Sequence, residues 1–104
     1  MLLKPEAVRA LSGVTSKKRL MNEMGALVEA AYGVSHSAAV EALLERESLG
    51  PTGVGNGVAL PHARLDGLDR VVGVLVVLDR PIEFEAVDRQ PVDLAFGLFA
   101  PLDA

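Results

Sequence analysis

Apolar residues recur at helical spacing in the first third of the chain. The residues that lie three or four positions apart are Leu20, Met24, Leu27, Val28 and Ala31. One face of an amphipathic helix has this spacing. Thr15 or Ser16 can cap its start with a hydroxyl, and Gly33 stands where a left-handed C-terminal residue is favoured. The pattern predicts a helix that begins at Ser16 and ends at Gly33.

A second apolar stripe follows after a short polar interval. Its members are Val40, Leu43 and Leu44. Ser35 or Ser37 can cap the start of this helix. Pro51 cannot continue a helix, so the second helix is expected to end near residues 49–50.

The second half of the chain changes to extended patterns. Residues 71–78 are almost continuously apolar and β-branched, which is typical of a strand buried on both faces. Residues 92–99 predict another strand, and 57–60 and 9–11 predict shorter ones. Helices followed by central strands favour an α/β layered fold. Two helices cover only one face of such a sheet, so we expect helical cover to be missing after Ala104.

Length and composition limit the function classes. The chain has 104 residues, of which 50% are hydrophobic, and this predicts a single domain over 1–104 with an aliphatic core. The absence of cysteine excludes disulfides and thiolate metal sites. The net charge of −4 arises in the second half without a basic stripe, which argues against nucleic-acid binding. No membrane span or targeting segment is evident, and we expect a cytoplasmic protein.

A glycine-rich segment lies between the second helix and the strands. Gly53, Gly55 and Gly57 alternate with other residues after Thr52, and Asn56 also tolerates left-handed backbone. The segment has two interpretations. It is either a tight helix-to-strand turn or a loop whose backbone N–H groups approach a phosphate.

His62 is the candidate reactive residue. It follows a short apolar strand, so we expect it at a strand end, where an imidazole can act as base, ligand or nucleophile. No nucleophilic serine motif accompanies it, and His36 lacks metal-ligand spacing to it, so no metal is expected. A lone histidine is more often a structural residue, so this alternative stays open. If His62 is the nucleophile, the glycine-rich segment makes phosphate the natural electrophile, with Arg46 and Arg64 as candidate cations for the phosphoryl oxygens.

These residues resemble a known family. Residues 46–47, followed by TGVGNGVALPH at 52–62, strongly resemble the active-site segment of enzyme IIA domains of the phosphotransferase system. The match is to the mannitol/fructose type and is best to the nitrogen-regulatory branch. It continues through residues 16–18, 81–84 and 90–94.

The resemblance implies a bacterial histidine phosphocarrier. His62 would accept a phosphoryl group from an HPr-type protein, Arg46 would balance its charge, and no organic cofactor is expected. The implied fold is a mixed β-sheet flanked by helices in an α/β/α arrangement. A free-standing domain favours nitrogen- or potassium-type regulation. The alternatives are a IIA component that passes phosphate to a sugar-specific IIB domain, and a domain used only for assembly.

Three departures from the family pattern bear on this interpretation. Pro51 stands where the family usually has serine, and Ala63 and Arg64 replace a common Gly-Lys pair. The family also continues to a second active-site histidine and further helices, which this sequence does not contain. We therefore expect a IIA-type domain that is incomplete at its C-terminus.

Overall fold

The computed structural model describes residues 3–102, which form two helices and six strands. The helices are α1 (Lys17–Tyr32) and α2 (His36–Ser48), and the strands are β1 (Leu3–Leu11), β2 (Gly53–Gly55), β3 (Val58–Ala59), β4 (His62–Leu65), β5 (Val72–Ile82) and β6 (Val92–Pro101). No helix of this region is long and apolar enough to cross a membrane.

Both helices begin and end where their capping residues predict. The Ser16 hydroxyl accepts a hydrogen bond from the Arg19 amide at 3.1 Å, and the Ser35 hydroxyl accepts one from the Ala38 amide at 3.3 Å. Gly33 follows α1 with a φ of 75°, in the left-handed region that glycine adopts without strain.

The strands form one mixed sheet in the order β1-β5-β6-β3-β2, with β4 also paired to β6. β5 and β6 are antiparallel, while β1 runs parallel to β5, and β3 and β4 run parallel to β6. The same edge of β6 therefore receives β3 opposite Leu94 and then β4 opposite Leu98. The predicted mixed sheet is confirmed.

The core lies between the two helices and one face of the sheet. Met24 of α1 packs directly over Gly97 of β6, and a Cβ atom at Gly97 would also lie 2.9 Å from Val74 Cγ2. A side chain at Gly97 would therefore force the Met24 and Val74 side chains to move. α2 contributes Ala39 and Leu43 to the core, whereas Val40 and Leu44 of the predicted stripe are only half-buried.

The opposite face of the sheet corrects the prediction that 71–78 is buried on both sides. Val74 and Val76 are fully buried, but Leu75 is half-buried and Val77 is 42% exposed. Both helices pack on the same face, and no helix covers the other face within residues 3–102. Strand lengths also differ, since β1 extends well before residue 9 and β3 is confined to Val58–Ala59.

Candidate functional site

Arg46 and His62 come from different elements and meet side chain to side chain. Arg46 lies in the last turn of α2, and His62 is the first residue of β4, against which α2 packs. Arg46 Nε donates a hydrogen bond to His62 Nε2 at 3.2 Å, and its Nη1 donates to the Gly50 carbonyl at 3.0 Å. The guanidinium thus bridges the end of α2 and the imidazole.

The hydrogen bonds of His62 define its neutral tautomer. Its Nδ1 lies 3.0 Å from the Leu60 carbonyl oxygen, which can only accept a hydrogen bond. Nδ1 therefore carries the proton, and Nε2 presents a lone pair towards Arg46. An imidazole held in this way has its nucleophilic nitrogen directed at a cation.

An open cavity of about 740 Å³ surrounds these two side chains. Arg46, His62 and Arg64 line it together with Glu45 and a set of mostly apolar residues, namely Ala42, Leu49, Ala63, Val71, Leu98, Ala100 and Leu102. Arg64 Nη1 also donates to the Leu102 carbonyl at 3.4 Å. The three residues that the sequence put forward as nucleophile and cations therefore share one cavity.

His62 follows the end of the short strand β3, as expected, and it is also the first residue of β4. Leu60 and Pro61 separate these two strands, and both strands lie along β6. The Pro61 carbonyl accepts a hydrogen bond from the Leu98 amide at 2.9 Å, which holds this crossing against the sheet. His62 is exposed at the start of β4.

The glycine-rich segment is a β-hairpin, with β2 and β3 joined by a turn at Asn56 and Gly57. Close packing explains Gly53, because a Cβ atom there would lie 2.7 Å from Ala86 Cα. Gly55 and Gly57 have φ values of 107° and 80°, in the region that favours glycine, and a Cβ atom at Gly57 would also lie 3.1 Å from Asp93 Oδ1. This hairpin differs from the tight helix-to-strand turn, which was one of the two interpretations of the segment.

The tip of the hairpin is held by a carboxylate. Asp88 accepts hydrogen bonds from the Asn56 amide at 2.9 Å and from the Gln90 amide at 3.0 Å. Both hydrogen bonds lower the pKa of the Asp88 carboxyl below its ordinary value, and the bond from Asn56 has the larger effect. None of the predicted phosphate-loop residues lines the cavity at His62; these are Thr52, Gly53, Gly55, Asn56 and Gly57.

Glu47 is a buried residue that the sequence reasoning did not assign a role. Its carboxylate accepts hydrogen bonds from the Thr52 amide and hydroxyl and pairs with Lys17. An acidic residue in the last turn of a helix opposes the helix dipole. That conflict was the signal in the sequence that Glu47 has partners elsewhere.

His36 lies away from this site. Its Nε2 is 2.6 Å from Asn22 Oδ1 and 3.0 Å from the Asn22 carbonyl oxygen, so it connects the two helices. Across the described part of the chain, no group of three or more His, Cys, Asp or Glu residues is arranged to hold a metal ion.

Comparison with known proteins identifies the family. The model for "Phosphoenolpyruvate-dependent sugar phosphotransferase system, EIIA 2" matches residues 1–104. The chain belongs to this family. A nitrogen regulatory protein from Bradyrhizobium diazoefficiens is 47% identical over 100 residues, covering 96% of this chain and 65% of that protein. The chain thus spans less than two thirds of that relative's length.

Solved structures agree with the fold. The nitrogen regulatory protein IIA-Ntr from Neisseria meningitidis has a TM-score of 0.89 at 40% identity, covering 99% of this chain and 70% of that chain. The IIA mannitol enzyme from Escherichia coli, solved in complex with phosphorylated IIB, has a TM-score of 0.74 at 21% identity, covering 96% of this chain and 72% of its own. The second likeness concerns the fold alone. The predicted family, its nitrogen-regulatory branch and the α/β fold are confirmed.

Proposed function

We propose that His62 is a phosphoryl acceptor and that this chain acts as a phosphorylation-dependent regulator. The observation that carries the proposal is the pair of contacts on one imidazole: Nδ1 bound to the Leu60 carbonyl and Nε2 facing Arg46 at 3.2 Å. Together they leave one nitrogen nucleophilic and place a permanent cation beside it.

The reaction is transfer between two histidines. The lone pair on His62 Nε2 attacks the phosphorus of a phosphohistidine on an HPr-type carrier, forming a new N–P bond. The carrier's N–P bond breaks, and its electron pair returns to the carrier's imidazole. Such transfers need positioning and charge stabilisation more than covalent machinery. No metal is required for this balance.

Arg46 is positioned to stabilise the transferred group. Its Nε already points to the acceptor nitrogen, so a phosphoryl group on Nε2 would lie within reach of the guanidinium. Arg64 lines the same cavity and would add a second positive charge.

Regulation is favoured over sugar transport by the degree of similarity. Proteins described as nitrogen regulatory are up to 47% identical to this chain, over 96% of its length, whereas a fructose-specific EIIA component is 36% identical over 74 residues and the mannitol IIA enzyme is 21% identical. We therefore propose that the phosphorylated and free forms bind regulated protein targets differently, in nitrogen- or potassium-type control. A phosphoenolpyruvate-dependent system draws on a cytoplasmic metabolite, so we place the protein in the cytoplasm.

The test is phosphorylation by a reconstituted donor chain. Phosphoenolpyruvate, enzyme I and an HPr-type carrier should place acid-labile phosphate on the protein, and His62→Ala should abolish the label. His36→Ala is the matched control, because it removes the other histidine while leaving the cavity intact, and it should be labelled like the wild type. Label retained by His62→Ala would refute the site, and an unlabelled wild type would favour an assembly role.

A second experiment separates regulation from transport. The labelled protein is mixed with a mannitol-type or fructose-type IIB domain and, separately, used in a pull-down with each phosphorylation state. Rapid loss of the label to IIB would support the transport alternative. Targets retained by only one of the two states would support regulation.

A further inference from the structure

Glu47 holds a carboxylate in an almost water-free position. Its side chain is 6% exposed, and its oxygens accept from Lys17 Nζ at 2.9 Å and from the Thr52 amide at 3.0 Å. The Thr52 hydroxyl donates a further, short hydrogen bond. A buried carboxylate is tolerated only when it is paired and fully hydrogen-bonded, and Glu47 meets both conditions.

Lys17 connects this carboxylate to another part of the chain. Its ammonium lies 3.5 Å from Glu85 and 4.8 Å from the centre of the Phe84 ring. Phe84 is fully buried, so the lysine is held between a rigid aromatic face and Glu47. The start of α1, the end of α2 and the segment after β5 therefore meet at Glu47.

A short series of bonds leads from Glu47 to the acceptor imidazole. Thr52, which Glu47 holds by two hydrogen bonds, accepts from the Leu60 amide at 2.9 Å through its own carbonyl. The Leu60 carbonyl in turn receives the Nδ1 proton of His62 at 3.0 Å. The group that sets the tautomer of His62 thus belongs to a residue anchored through Thr52.

Arg46 and Glu47 are consecutive residues of α2 that act on opposite sides of the His62 imidazole. Neighbouring residues on a helix point about 100° apart, so Arg46 faces His62 while Glu47 faces Thr52. One turn of helix fixes both sides of the imidazole. Arg46 contacts Nε2 directly, and Glu47 acts at a distance through the carbonyl that binds Nδ1.

We propose that Glu47, with Lys17 as its counter-ion, is a positioning residue for the phosphoryl acceptor. This inference rests on the proposed function of His62 for its effect on transfer, but its effect on the His62 tautomer is independent of that function. Without the carboxylate, the Thr52 amide and hydroxyl lose the acceptor of their two hydrogen bonds. Lys17 keeps only its longer contact with the exposed Glu85 and its contact with the Phe84 ring. The Leu60 carbonyl then shifts away from Nδ1, and the proton is no longer confined to that nitrogen.

The experiment compares full-length Glu47→Ala, Glu47→Gln and Thr52→Val with the wild type. Glu41→Ala is the matched control, since Glu41 is an exposed residue of the same helix. Imidazole ¹⁵N shifts report the His62 tautomer, and the initial rate with a phosphorylated HPr-type carrier reports acceptance. A small displacement of reacting groups costs large factors in rate, so Glu47→Ala should slow acceptance about tenfold or more. It should also raise the fraction protonated at Nε2.

The remaining variants should change the acceptance rate and the His62 tautomer by different amounts. Glu47→Gln keeps an oxygen for Thr52 and should recover much of the rate, whereas Thr52→Val should move the tautomer in the same direction as Glu47→Ala. Glu41→Ala should match the wild type in both readouts. A purely structural role would lower the urea midpoint of Glu47→Ala without altering the tautomer of the folded protein.

The outcomes distinguish this inference from the proposed function. Wild-type tautomer and rate in folded Glu47→Ala and Thr52→Val would overturn the positioning role while leaving His62 as acceptor. If the wild type accepts no phosphate, the proposed function fails, and the imidazole shifts alone decide the role of Glu47. If Glu47→Ala does not fold, Thr52→Val provides the same decision.

Discussion

Replacing Arg46 tests how charge is stabilised at His62, the proposed phosphoryl acceptor. The side chain makes two hydrogen bonds in different directions, from Nε to His62 and from Nη1 to the Gly50 carbonyl. Arg46→Ala removes both, together with the positive charge. Arg46→Lys keeps the charge but has only one nitrogen, which cannot bridge both partners with the planar geometry of a guanidinium.

The expected loss of rate follows from the hydrogen bond that Arg46 would make to the phosphoryl oxygens. A hydrogen bond to a charged group contributes about 1.5–3 kcal/mol, which corresponds to a rate loss of about 10- to 150-fold for Arg46→Ala. Arg46→Lys should fall between this value and the wild type. Losing the bond from the charged guanidinium to the Gly50 carbonyl should cost up to about 1.5–3 kcal/mol of folding free energy.

The assay measures single-turnover phosphorylation by a purified phosphocarrier, with urea unfolding in parallel. Arg9→Ala is the control, because it makes the same charge change on β1, which does not line the cavity. If Arg46→Ala accepts phosphate as fast as Arg9→Ala, the stabilising role of Arg46 is refuted. Equal rates for Arg46→Lys and the wild type would show that charge alone suffices.

Three further predictions concern the scaffold. Gly53→Ala forces a Cβ atom to 2.7 Å from the Ala86 backbone, so it should destabilise the fold by about 1–3 kcal/mol in urea unfolding; an unchanged midpoint would contradict this packing. Phe99→Ala removes a fully buried ring and should cost about 3–5 kcal/mol in the same assay, whereas a cost near zero would mean that the helices do not cover this face. Asp88→Asn should destabilise the protein at neutral pH. Because the pKa of Asp88 is lowered in the folded state, its contribution is present above the unfolded pKa of about 3.9 and is lost as pH falls through the lower folded value. The stability difference between Asp88→Asn and the wild type should therefore close in acid, and a pH-independent difference would contradict the assignment.

The helices and their boundaries could be predicted from the sequence because they depend on local chemistry. Ser16 caps α1 because its hydroxyl satisfies a free amide within three residues, and Gly33 ends it because glycine adopts positive φ. These preferences act within a few residues, so the neighbouring sequence contains all the necessary information. The resemblance of 52–62 to a family motif similarly directed attention to His62.

Burial depended on partners that lie far along the chain. The run at 71–78 is apolar on both sides, yet Val77 is exposed while Val76 is buried, because both helices pack on one face of the sheet. The glycine segment offered a turn or a phosphate loop. Its hairpin is explained by Ala86, Asp88 and Asp93, which follow it by some thirty residues.

The sequence therefore pointed to His62 as the proposed acceptor and to Arg46 as the cation beside it, since residue type and family motif suffice to put both forward. Their relationship in space came only with folding. Arg46 reaches Nε2 because α2 packs against β4, and Nδ1 is held because Thr52, Leu60 and Glu47 are joined by hydrogen bonds across separate elements. The neighbouring sequence shows only that Glu47 lies at the helix end where a negative charge is unfavourable. Its partners, and therefore its proposed role, are visible only in the tertiary contacts.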